Sequence, residues 1–138
     1  KKTGFNFYHF DTSLSIKKSL AAYSKHLPKK PFDLTILGIG PDGHIASLFP
    51  NSKALTGKKS VAHTTTTNFA IKDRLTLTFP PILKSKNVLI LLTGQEKLKI
   101  IETLKKAAKI KSKITKQQYQ NFPALKLLQH KNLTIYFS

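Results

Sequence analysis

Asp33–Pro50 reads DLTILGIGPDGHIASLFP. Residues 34–39 are a short apolar run of the kind that forms a buried parallel strand. Gly38, Gly40 and Gly43 punctuate the adjoining loop, and glycine lets a backbone turn sharply or approach a ligand closely. The turn presents Asp42 and His44 two residues apart. A strand running into such a turn puts polar groups just beyond its carboxyl end, where open α/β sheets bind ligands. HIASLF is expected to make one helical turn before Pro50.

Working outward, residues 13–27 read as a helix with Leu14, Ile16, Leu20, Ala21 and Leu27 as its apolar stripe. Ser13 or Asp11 is placed to cap it, and Pro28 and Pro31 stop it. Residues 51–60 are polar and loop-like. VAHTTTT at 61–67 and LTLTF at 75–79 have strand character, and Pro80 and Pro81 end the latter. NVLILLT at 87–93 predicts a second fully buried strand. Gly94 then turns the chain into a helix over about 95–110, with Leu98, Ile101 and Leu104 on one face. Lys105–Lys116 reads as a helix end and loop. PALKLLQ, starting at Pro123, predicts a short helix, and LTIYFS a last strand. Strand–helix alternation with continuous apolar strands predicts an α/β fold, a mostly parallel sheet covered on both faces in three α/β/α layers.

The 138 residues make at most one domain, long enough to bury roughly 68–70% of the unfolded surface. No long uncharged apolar run predicts a membrane-spanning helix, and the first ten residues lack signal-peptide character. Cysteine is absent, which excludes disulfides and thiolate nucleophiles and fits a reducing, cytoplasmic setting. There is no methionine even at position 1, so the chain reads as processed or truncated. The formal charge is +18, from 24 basic against 6 acidic residues, yet Arg74 is the single arginine. A nucleic-acid binder normally relies on arginine's planar fork. Scattered lysines read instead as a biased surface whose positive field attracts an anionic substrate.

Imidazole accepts and returns a proton near neutrality. Asp42 is near enough to fix the tautomer of His44 and to stabilise its imidazolium. The backbone N–H groups of Gly40 to His44 are candidates for binding a developing oxyanion. Together these are parts of a general-base hydrolase with neither covalent nucleophile nor metal. A DGH tripeptide alone is an ordinary turn; the preceding strand and the long surrounding pattern give it weight. His9, His26, His63 and His130 have no metal-ligand spacing. The Thr64–Thr67 run is explained by β propensity.

The run LGIGPDGHIASLFP resembles the 6-phosphogluconolactonases, and RLTLTF at 74–79, NVLILLTG and GQEK at 94–97 fit in order. The resemblance spans most of the chain from about Phe32 onward and implies a Rossmann-like sheet. The related glucosamine-6-phosphate isomerases share GPDGHIA but are similar to AFNEP after the His, its Ala matching Ala46, with a catalytic Glu where this chain has Phe49. Phenylalanine cannot transfer a proton, which favours lactone hydrolysis over isomerisation.

The resemblance implies hydrolysis of 6-phospho-D-glucono-1,5-lactone to 6-phosphogluconate in the pentose phosphate pathway, with no metal or organic cofactor. His44 would activate water and Asp42 would orient it. Gly38, Gly40 and Gly43 would shape the substrate site, and Lys97 would contact the substrate phosphate. By its residues alone Lys97 is a solvated lysine at a helix start. Arg74 either pairs with substrate or anchors its strand through Asp73 or Asp33.

The family's GGxTP-like phosphate loop and DER-like segment do not occur here. Residues 1–138 therefore read as one partial domain, its sheet incomplete, with an apolar face or strand edge exposed around Leu34–Ile39 and Val88–Leu92. Two other readings are an amino-sugar-phosphate isomerase or deaminase and a non-catalytic basic binding module.

Overall fold

Two apolar runs, LTIL and NVLILL, pair side by side at the centre of the fold. A computed structural model describes Gly4, residues 6–110 and residues 113–138. The runs become β1 (Leu34–Leu37) and β4 (Asn87–Leu92), joined in parallel with Ile36 opposite Leu89. The last strand, β5 (Leu133–Phe137), adds in parallel on the other side of β4, giving the order β1-β4-β5. β2 (Val61–Thr65) and β3 (Asp73–Leu77) form a separate antiparallel ribbon. The architecture is α/β with a mostly parallel sheet, as the apolar runs predict.

Alternation divides the sheet into two unlike faces. Val88, Ile90 and Leu92 point into a core shared with Phe79 and Ile82 of α2 (Phe79–Lys84) and Ile100, Ile101 and Leu104 of α3 (Leu98–Ala108). The 3₁₀ segment Pro123–Gln129 adds Ala124, Leu125, Leu127 and Leu128. On the opposite face Leu34 is 51% exposed, Ile36 55%, Leu91 43% and Tyr136 60%. The helices thus cover one face of the sheet, and the other is open.

Several expectations change in detail. α1 covers Ile16–His26 and buries only Ser19; Leu14, Ile16 and Ala21 of the expected stripe are exposed. Asp11 does not cap α1: its Oδ1 accepts from the Ser13 hydroxyl at 2.6 Å and N–H at 2.9 Å, which hold its carboxyl below the usual carboxylate range. Pro80 and Pro81 end the strand by opening α2, where a missing N–H is harmless in the first turn. Leu98, at the start of α3, is 45% exposed, and Ile100 takes its place in the core. The stretch Lys105–Lys116 holds the end of α3 and the start of α4 (Lys116–Asn121), which a capping box at Thr115 opens; residues 111–112 lie outside the described residues. Among the described residues, no helix is long and apolar enough to cross a membrane.

HIASLF is not helical. Ile45 bridges to Ile39 and to Leu48, and Ala46 takes a left-handed conformation with φ 50°. The ribbon enforces this: the Ser47 N–H donates to Thr76 Oγ1 at 3.0 Å, and Thr64 Oγ1 donates to the Ser47 carbonyl at 2.8 Å. Two tertiary bonds on one residue hold a backbone conformation that alanine alone disfavours.

Candidate active site

β1 delivers the glycine turn to the carboxyl end of the sheet. There Asp42 Oδ1 accepts two bonds from the same residue, from the His44 N–H at 3.1 Å and from its ring Nδ1 at 2.5 Å. A carboxylate at Nδ1 places the proton there and leaves Nε2 as the basic nitrogen. The His44 side chain is 17% exposed and that of Asp42 24%. The ring leans on Phe49 with centroids 4.7 Å apart, and stands nearly perpendicular to Phe69 at 5.5 Å and 80°.

Two glycines are needed here for different reasons. A Cβ at Gly40 would overlap the His44 ring, so the imidazole lies where only glycine leaves room. Gly43 has φ +81° and sits against the Phe122 ring, a structural demand away from the imidazole's cavity. Gly40→Ala is expected to push the ring off Asp42. The ring proton resonances of His44 should move with the fold retained; an unshifted His44 spectrum would contradict this packing.

The pair sits between two cavities. One of about 460 Å³ is lined by His44, Gly38, Ile39, Gly40, Ala46 and by Ile36 from the open sheet face. The other, about 670 Å³, touches Asp42, Phe49, Thr65–Asn68, Lys72 and Asp73. Of these two, only the smaller is bordered by the imidazole. The Lys97 Nζ donates to the carbonyl of Ile39 at 3.1 Å, and Ile39 is one of the residues that line the smaller cavity.

Arg74 comes from β3, outside the glycine turn. Its Nε donates to the Ile71 carbonyl at 3.1 Å and its guanidinium lies 5.7 Å from the Phe69 centroid. Neither suggested carboxylate anchors it: Asp73 pairs with His63 at 2.6 Å and Asp33 with Lys86 at 2.7 Å. The structure therefore gathers His44, Asp42, Gly38, Gly40 and Lys97 at one strand end, and connects Arg74 to them through Phe69. Among the described residues, no three His, Asp or Glu side chains converge as a metal site.

Three of the expected oxyanion amides are already in use, and the Asp42 N–H is not among them. The Gly40 N–H donates to the His44 carbonyl at 2.9 Å, Gly43 to Gly40 at 2.9 Å, and His44 to Asp42. Folding the tight turn requires these bonds, so they are not available for a ligand without opening it. Sequence reading also missed Phe69 and the loop-holding pair Thr64 and Thr76. The only local signal for Phe69 is a lone aromatic in the polar hairpin loop between β2 and β3.

Comparison with known proteins agrees with this fold. A family model described as glucosamine-6-phosphate isomerases/6-phosphogluconolactonase matches residues 2–135. A probable 6-phosphogluconolactonase from Dictyostelium discoideum is 35% identical over 136 residues, covering 92% of this chain and 54% of the relative. A 6-phosphogluconolactonase from Thermotoga maritima is 40% identical over 105 residues, covering 72% and 46%. The solved 6-phosphogluconolactonase of Plasmodium vivax superposes with TM-score 0.75 at 26% identity, over 92% of this chain and 53% of that one. The chain spans about half the length of the relatives it matches. With a match over nearly all its residues, and an Asp–His pair at the exit of its first parallel strand, this chain belongs to the glucosamine-6-phosphate isomerase/6-phosphogluconolactonase family.

Proposed function

We propose that this chain carries the Asp–His part of a lactonase site that hydrolyses 6-phospho-D-glucono-1,5-lactone to 6-phosphogluconate. One observation carries the reading: Asp42 holds Nδ1 of His44, so Nε2 is the nitrogen left to work at the cavity beyond β1. In this reading Nε2 takes a proton from water as the water oxygen attacks the lactone carbonyl. The imidazolium then returns that proton to the ring oxygen as the acyl bond breaks. Asp42 keeps the ring oriented through both transfers. A strained cyclic ester needs only positioning and proton transfer to open. Phe49, 6% exposed and packed on His44, stands where the isomerase branch has its glutamate, which weighs against isomerisation.

Lys97 and Arg74 are the proposed phosphate ligands. Lys97→Met is expected to raise KM for the phosphorylated lactone about 10–100-fold, the range of one charged hydrogen bond, with a smaller change in kcat. Initial rates measured above spontaneous hydrolysis test both statements; an unchanged KM would remove Lys97 from the site.

Residues 1–138 act in this reading as one partial domain. Ile36 belongs both to the open sheet face and to the His44 cavity. Whatever packs on that face therefore also walls the site, and a longer chain that covers it is expected to hydrolyse the lactone faster than these 138 residues. Equal rates would contradict the partial-domain reading.

A further inference from the structure

We propose that Phe69 is a positioning residue that seats Arg74 for the substrate phosphate and so sets the preference for phosphorylated over unphosphorylated lactones. The proposal rests on the lactonase reading above. Phe69 sits in the hairpin loop between β2 and β3, half-buried, where a turn has no need of an aromatic ring. Its ring is fixed by the site itself, perpendicular to His44 at 5.5 Å and 5.9 Å from the buried Phe49. It also carries the Arg74 guanidinium at 5.7 Å, within cation–π range.

Arg74 is thus held at two points, by the Phe69 ring and by the bond from its Nε to the Ile71 carbonyl. Among the described residues no carboxylate pairs with it. The described hydrogen bonds use only Nε, and the two terminal amino groups remain to grip an anion. A guanidinium already ordered in this way loses little freedom on meeting phosphate. The Phe69 ring contacts both the imidazole and the cation. The ring's size and π face both matter, and each can be changed alone.

The test uses the whole chain and compares kcat/KM for 6-phosphoglucono-1,5-lactone with that for glucono-1,5-lactone. Phe69→Leu keeps apolar bulk but removes the π face. It is expected to lower the preference for the phosphorylated lactone about fivefold, mainly through KM, the size of one partly exposed cation–π contact. Phe69→Tyr is expected to restore the preference. In an Arg74→Lys background, Phe69→Leu should cost less than it does alone, because the two side chains act as one unit. Equal loss on both lactones, no recovery with Tyr, or additive costs with Arg74→Lys would each overturn the proposal while leaving the lactonase reading intact. A wild-type chain with no preference for the phosphorylated lactone, or no hydrolysis, would overturn both.

Discussion

His44→Ala is expected to lower kcat for 6-phosphogluconolactone hydrolysis by roughly 10²–10⁴-fold, the usual contribution of a positioned acid–base group. The loss should fall on kcat more than on KM, because Lys97 and Arg74 are proposed to hold the phosphate. The fold should survive. The imidazole makes no backbone bond, while the turn is held independently by the bonds of Gly40 and Gly43 and by the His44 N–H to Asp42. Circular dichroism and thermal unfolding separate the two effects. A stable variant with wild-type kcat would end the general-base account; a variant that no longer folds would show the ring to be structural.

The second large effect concerns stability and divides the two faces of the central strands. Ile90 is wholly buried on the covered face, packed in one core with α2, α3 and the 3₁₀ segment. Ile90→Ala is expected to cost about 2–5 kcal/mol, lost transfer energy plus the cavity left behind. Ile36, 55% exposed one strand away, should cost under about 1 kcal/mol on the same change, since its methyl groups already meet water. Thermal or denaturant unfolding of the two variants measures the difference. Similar costs would mean that the open face is covered in solution. Low costs at both positions would mean that the core is not packed as described.

Much of this fold was legible because it arises from local pattern. Leu34–Leu37 and Asn87–Leu92 are runs too apolar for anything but a strand between other elements, and they are the paired centre of the sheet. Asp42 and His44 were legible because a two-residue spacing across a tight turn brings a carboxylate to its neighbour's N–H and ring by itself. The features that local pattern hides depend on distant residues. Ala46 is left-handed because Thr64 and Thr76, on strands much later in the chain, hold Ser47 from both sides. Leu98 satisfies a helical stripe, yet lies at the end of α3 beyond the core, where Ile100 fills the space. Phe69 has no periodicity to mark it; its place beside His44 comes from the folding-over of the whole ribbon.

The most direct test is a crystal structure of this chain with 6-phosphogluconate bound. The account places a carboxylate oxygen of the product about 3 Å from Nε2 of His44, within hydrogen-bond reach, and the phosphate against Lys97 and Arg74. Product lodged instead in the larger cavity of Lys72 and Thr65–Asn68, with Nε2 of His44 facing only solvent or protein, would contradict it.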